Sequence, residues 1–228
     1  MGRRMYEANK IKIVDQLVYI SLNGKHGQGK EAITDLKSYL KHGIGQYSWS
    51  CDKKGYVYAW DSENKKQITM HRLVSENNSK LHSDHINGNP LDNRAVNLRI
   101  CNAVENNRNA DARIDNKTGY KNVTFNTGLY RCLIKINKVK EYFGHYEKPE
   151  MAAEAYNHVM RQLYPEYARL NVIPDGSLST EEIEHVHNYV NRRLEKIKEK
   201  NEANKVIVDI ASISFVKAHQ DKMIDKIV

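Results

Sequence analysis

The chain has 228 residues, of which 40% are hydrophobic, and it carries a formal net charge of +8 at pH 7. That length holds one large domain or two to three small ones, and the modest apolar content argues against a single big core. The excess of Lys and Arg makes a polyanion the default partner, because clustered cations release the counterions condensed on phosphates.

The three cysteines, Cys51, Cys101 and Cys132, lie far apart and form no C-x-x-C pair. They argue against a zinc ribbon and a disulfide framework, and suit a reducing compartment. The opening "MGRRMYEANKIKIVD" has no apolar run of signal-peptide length, and no segment approaches the roughly 20 apolar residues of a membrane helix. A soluble cytoplasmic protein is expected, with no membrane partner.

From Ile11 to about Leu73 the pattern is short and strand-like. The runs "KIVDQLVYISL", "YSWSCDKKGYVYAW" and "KKQITMHRLV" are rich in Val, Ile, Tyr and Trp, with "DKKG" as a hairpin turn. Between the first two, "GKEAITDLKSYLKHG" places Ile33, Leu36, Tyr39 and Leu40 at helical spacing before Gly43. A small sheet with one helix is the expectation for residues 1–70.

The next stretch, "LHSDHINGNPLDNRAVNLRICNAVENNRN", is too polar to pack as core. Its "KLHSDH" ends a strand, "INGNPLDNRAVN" is a turn-rich excursion, "LRI" returns the chain, and Asn102 caps a helix carrying Glu105, Asn106 and Asn107. A hairpin followed by a helix brings Asp84 and Asn106 onto one small surface. Both are oxygen donors of the kind that Mg²⁺ or Mn²⁺ selects. His85 adds an imidazole that titrates near neutral pH, and Asn97 is the candidate to fix its tautomer and hold the loop.

After Asn109, "ADARIDNKTG" reads as a linker. Three strand candidates follow, "YKNVTFN", "LYRCLIKIN" and "KEYFGHY", then a helix over "KPEMAAEAYNHVMRQLYPEYARLN". Pro149 suits its first turn, and Met151, Ala152, Ala155, Tyr156, Val159 and Leu163 form an apolar stripe. Beyond "IPDGSLSTEE", Ser179 and Glu182 have capping-box spacing, and Ile183, Val186, Val190, Leu194 and Ile197 make a near-heptad stripe. Such a helix can dock on the body, pair with a partner or touch DNA. The tail from Val206 to Val228 is a further helical candidate.

The segment from "ITMHRLV" through "SDHINGNPLDNRAVNLRICNAVENNRN" resembles the core of HNH endonucleases of the phage and intron-encoded homing type, written DHxNGxxxDNRxxNLRxxxxxxNxxN. The resemblance implies a ββα-metal (His-Me finger) nuclease fold over residues 71–110, Asp84 and Asn106 as ligands of one metal, His85 as general base, and Asn97 as the residue that orients it. Asparagine stands at 106 where the family name has its last histidine, as in the homing branch. His71 is expected to support the hairpin by packing. No cysteine pair flanks the motif, so the structural zinc of some relatives is not expected.

Residues 118–171 resemble the AP-two (Apetala, ethylene-response-factor) DNA-binding domain through "GYKNVTF", "YRCLIKI", "FGHY" and "EMAAEAYNHVMRQLYPEYARLN". The usual tryptophan of the second strand is replaced at or near Cys132. In that family the sheet's outer face enters the major groove. Strand alternation puts Tyr130, Cys132, Ile134 and Ile136 on one face and Arg131, Leu133, Lys135 and Asn137 on the other. The second face is the expected DNA face, with Lys121, Lys138 and Lys140 as phosphate contacts.

The expectation is therefore an α+β chain: a small N-terminal sheet, a ββα nuclease core, a three-stranded antiparallel sheet with one helix, and C-terminal helices over 177–228. Its expected activity is metal-dependent, site-targeted cleavage of double-stranded DNA, one strand per active site, by a phage-encoded monomer or homodimer. Two other readings stand beside it: a DNA-binding regulator on a non-catalytic HNH scaffold, and a nonspecific defence nuclease.

Overall fold

The computed structural model describes residues 8–224, with side chains described through residue 203. The chain forms two compact units, one of residues up to Asp111 plus Glu166–Arg169, the other of Ala112–Pro165 plus the residues from Leu170 on. Mixed α and β structure runs through both. No helix among the described residues is long and apolar enough to cross a membrane.

In the first unit, "KIVDQLVYISL" is two strands rather than one. Asp15 and Gln16 both take positive φ, 47° and 65°, and form a two-residue turn joining β1 (Ile11–Val14) to β2 (Leu17–Ser21). The helix expected from Ile33 is corrected: Ile33 lies in β3 (Glu31–Asp35), which completes a sheet of order β1-β2-β3, and α1 covers only Leu36–Lys41. The cause is local. The Ile33 amide donates to the Leu91 carbonyl at 2.8 Å, while Asp35 caps the helix by accepting from the Ser38 amide at 2.8 Å.

A second antiparallel sheet joins β4 (Ser50–Cys51), β5 (Val57–Asp61) and β6 (Lys66–Thr69). The "DKKG" turn forms as read, with the Gly55 amide on the Asp52 carbonyl at 3.0 Å. The strand expected through "ITMHRLV" stops at Thr69, and α2 (Met70–Val74) follows because Met70 and Val74 face the core. Val18, Ile20, Ile44, Trp49, Val57, Ala59 and Met70 form that core, and the buried Trp49 indole donates to the Ile44 carbonyl at 2.8 Å. Leu91 and Leu98 pack against the same core and so anchor the polar hairpin to it. The hairpin itself is β7 (His82–His85) paired antiparallel with β8 (Leu98–Cys101), followed by α3 (Ala103–Asn109). Asn102 and Glu105 close a full capping box at the start of α3.

The second unit holds β9 (Val123–Asn126), β10 (Leu129–Ile136) and β11 (Val139–Tyr146) in the order β11-β10-β9, covered by α4 (Pro149–Leu163). Both connections are two-residue turns, Thr127–Gly128 and Asn137–Lys138, at positive φ. Alternation in β10 holds, with Cys132, Ile134 and Ile136 buried and Lys135 exposed. In β11 a bulge at Gly144 shifts the parity, so Phe143 and Tyr146 both face inward while His145 faces out. Only glycine fits there: φ is 103°, and a Cβ would stand inside the Tyr146 ring.

The helix α4 ends at Leu163, short of the expected Asn171, because Pro165 cannot continue it. Asn171 closes the module instead: its amide donates to Asn157 Oδ1 at 2.7 Å, and its side-chain oxygen accepts from the Lys121 amide at 2.7 Å. The Ser179–Glu182 box starts α5 (Thr180–Ile224), one helix where two were expected. Val186 and Val190 are fully buried against α4, and Arg193 bonds Glu141 of β11 at 2.9 Å. The expected tail beyond Ile224 lies outside the described residues.

Candidate active site

Asp84 and His85 are consecutive on β7, so strand alternation would send them to opposite faces. Both are nonetheless buried, 8% and 4% exposed, because α3 covers one face and α2 with Tyr56 the other. Asp84 sits opposite Arg99 of β8, whose Nε and Nη2 donate to Asp84 Oδ2 at 2.9 and 2.7 Å. Asn109 of α3 donates through Nδ2 to Asp84 Oδ1 and Oδ2 at 3.1 and 3.0 Å and to the His85 carbonyl at 2.7 Å. One asparagine thus joins both residues of the pair to the helix.

The His85 ring packs edge-on against His71, centroids 5.2 Å apart, and tilts toward Tyr56 at 5.9 Å. Its Nε2 lies 3.3 Å from Asn93 Oδ1, while Asn93 Nδ2 donates to the Pro90 carbonyl at 3.3 Å. With the oxygen of Asn93 turned to the ring, Nε2 carries the proton and Nδ1 keeps its lone pair. Burial pulls the His85 pKa below the usual imidazole value, opposed in part by Asn93 and by the charges of Asp84 and Asp92. His71 is driven down to about 4, first by burial and then by the neighbouring His85 and Arg72, and its Nδ1 is buried without a hydrogen-bond partner. Burial thus favours the neutral imidazole at both positions.

The excursion between the strands is a lattice of amides. Asn97 accepts from the Asn87 amide at 3.0 Å and donates to Asn87 Oδ1 at 3.0 Å and to the Asp92 carbonyl at 2.8 Å. Asp92 takes both prongs of Arg94, at 2.8 and 2.7 Å, and the Asn87 side-chain amide at 2.9 Å. Burial works against the Asp92 charge, yet these donors outweigh it and its pKa falls. The Asn93 amide donates to the Ile33 carbonyl at 2.7 Å, stitching the loop to β3.

Residues 166–169 complete the unit. Arg99 bonds the Glu166 carbonyl and lies over the Tyr167 ring, 4.6 Å from its centroid. Arg169 donates to Asp111 and to the Asn87 carbonyl, each at 2.5 Å.

The structure therefore brings Asp84 and His85 together. Asn97 holds the loop, but the side chain bonded to His85 is Asn93. On α3 the side chain bonded to Asp84 is Asn109; Asn106 stands three residues earlier, half-buried, its backbone amide bonded to the Asn102 carbonyl. Asn93, Arg99 and Asn109 were not among the expected site residues, although the strings "DNR", "NLR" and the last Asn of "NNRN" contain them. Nothing in the sequence pointed to Glu166–Arg169.

In the second unit Arg131 pairs with His145 and Lys135 with Lys140 across β10 and β11, so all four share the outer face with Tyr142. Lys135, Lys138 and Lys140 are exposed, with Lys138 in the Asn137–Lys138 turn. Arg131 is half-buried and its Nε has no hydrogen-bond partner. Lys121 is half-buried, its backbone clasped on both sides by Asn171.

No family model matches the chain. Over 167 residues it is 29% identical to a protein of Acanthamoeba polyphaga mimivirus named as an uncharacterized HNH endonuclease, covering 71% of this chain and 84% of that protein. This likeness supports the HNH nuclease family. It speaks for a nuclease at that level.

Proposed function

We propose that the chain is a metal-dependent DNA endonuclease of the homing type, with its catalytic centre on β7, β8 and α3. The observation that carries the reading is Asn109 bonded to both Asp84 and the His85 carbonyl, which makes carboxylate, imidazole and helix one constellation. In this reading His85 Nδ1 takes a proton from the attacking water, and Asn93 holds the ring for that role. Asp84 and Asn106 would hold one divalent cation. Their donor set is hard oxygen, which suits Mg²⁺ or Mn²⁺, and Asp84 Oδ1 accepts only from Asn109 and so keeps room for an ion. Bound there, the cation would offset charge on the scissile phosphate and the leaving oxygen. The products carry a 3′ hydroxyl and a 5′ phosphate.

A single centre with one base cuts one strand, so a monomer nicks, and paired cuts take a homodimer or a second encounter. The outer face of β10 and β11 supplies the targeting surface: Arg131 and Lys135 toward base edges, Lys121, Lys138 and Lys140 toward phosphates. Incubating supercoiled plasmid with wild type and His85→Ala, in Mg²⁺ or EDTA, tests the reading. Open-circular product that needs both metal and His85 is the expected result, with a loss of about 10²–10⁴-fold in the variant. Equal cleavage by the two proteins sinks the catalytic assignment, and DNA binding without any cleavage favours the regulator.

A further inference from the structure

We infer that Glu154, His158 and His187 form a second metal site, of the zinc class, that clips α5 to α4 within the second unit. The nuclease reading neither requires nor supplies it.

Glu154 and His158 are four residues apart on α4 and so project from one face one turn apart. His187 comes from α5, fixed by the fully buried Val186 beside it and Val190 a turn later. One ligand atom from each of the three residues lies within 4.8 Å of the other two. His187 Nε2 is 2.8 Å from Glu154 Oε1, and the two imidazoles lie face to face, centroids 3.8 Å apart and planes 12° from parallel. Ligands bound at roughly 2.0–2.2 Å to a tetrahedral zinc stand a little over 3 Å apart, so binding turns one imidazole out of the stack and moves His187 Nε2 off Glu154 Oε1.

The surroundings hold the three side chains in place. His158 Nε2 lies 2.9 Å from Asn191 Oδ1 and 2.8 Å from Gln162 Nε2, and Gln162 Nε2 donates to Asn191 Oδ1 at 2.8 Å. Asn191 Oδ1 is a further oxygen at the edge of the site. Glu154 is only 8% exposed, and Arg161 Nη1 holds its Oε1 at 2.8 Å, which fixes the carboxylate and leaves Oε2 for the ion. Two imidazoles and one carboxylate suit Zn²⁺ or Co²⁺ far better than the hard cations expected at Asp84.

The test uses the full chain without an affinity tag, titrated with Co²⁺ and read by its visible d–d absorption, then with Zn²⁺ in competition. One tetrahedral-type Co²⁺ band is expected, displaced by Zn²⁺, retained in Asp84→Ala and lost in His158→Ala and in His187→Gln. The glutamine keeps a hydrogen bond to Glu154, so unchanged far-UV circular dichroism separates loss of the ligand from loss of the fold. Zinc should also raise the melting temperature of wild type and not of His187→Gln, since a ligand of the folded state alone stabilises it. The inference is overturned if no band forms, if His187→Gln binds as wild type does, or if Asp84→Ala, with its far-UV circular dichroism unchanged, abolishes the band and so assigns the ion to the nuclease centre.

Discussion

The hairpin β7–β8 with α3 and the sheet β9–β11 with α4 are each a few antiparallel strands under one helix, but opposite forces hold them. In the second, apolar side chains supply the cohesion: Cys132, Ile134, Phe143, Ala152, Ala155, Tyr156 and Val159 are all buried. In the first, the buried side chains besides Cys101 are Asp84, His85, Asp92, Asn93, Asn97 and Asn109, joined by directional bonds, and Leu91 and Leu98 tie it to the apolar core. Hydrophobic packing tolerates rearrangement, whereas a buried polar lattice fixes each atom because every unmade bond is costly. A centre that must hold an imidazole and a carboxylate in register is built in the second way.

Removing Arg99 should break that lattice most severely. Its guanidinium is the cation paired with a nearly buried carboxylate, the two side chains being 15% and 9% exposed. Arg99→Met leaves Asp84 with Asn109 alone, and urea unfolding should show a loss of about 3–5 kcal/mol. If Asp84 holds a divalent ion, millimolar Mg²⁺ recovers part of that loss in Arg99→Met and none in Arg99→Met/Asp84→Asn. A drop below about 1 kcal/mol, the scale of an exposed pair, would show that the hairpin is held as the other module is.

Acid should separate the two regions next. A folded-state pKa of about 4 for His71 means that below the unfolded value near 6.5 the unfolded chain binds more protons. Stability from this group is complete above about pH 6.5 and is lost as pH falls toward about 4, on the order of 2–3 kcal/mol in all. His71→Phe keeps the ring packing against Tyr56 and His85 and removes the titration, so its urea midpoint should vary less across that window. Parallel pH profiles for the two proteins would locate the acid sensitivity elsewhere.

The same contrast explains what could be read from sequence. Period-two and helical stripes are apolar signals, so β10, α4 and the capped start of α5 were legible, down to the face that Lys135 presents. They fail where one element hands over to another without a change of composition, as at Asp35 and Thr69, where a cap and a core-facing Met70 decide. At the hairpin the residue types announced chemistry, yet partner choice did not follow from spacing. Asn93, Asn97, Asn106 and Asn109 are the same side chain, and only the fold of the loop against β3 assigns one to the histidine, one to the carboxylate and one to the loop. Glu166–Arg169 joins the site from more than fifty residues away, beyond any local pattern.

Gly88→Ala probes that last contribution. Gly88 has φ 72° and its missing Cβ is where the Arg169 guanidinium lies, so alanine is strained and displaces the arginine from the Asn87 carbonyl. The expected cost is about 1–2 kcal/mol. In an Arg169→Ala background, Gly88→Ala should cost little beyond its backbone strain, a coupling that a double-mutant cycle reads directly.

The smallest effect in stability belongs to the outer face of β10 and β11, and it sharpens the comparison from the other side. Lys135 and Lys140 are exposed and directly opposed, a like-charge pair that costs the free protein a little and has no structural use. Lys135→Ala/Lys140→Ala should leave the urea midpoint unchanged or slightly raised while weakening DNA binding. If both lysines meet phosphates, the slope of log K against log salt falls by about 0.9 for each contact removed. Lys53→Ala/Lys54→Ala, at the exposed turn of the first unit, is the matched control for net charge. A slope change confined to the first pair places the phosphate contacts on this face, because general charge loss would move both variants alike. Equal changes would make the basic excess diffuse and return base reading to other residues.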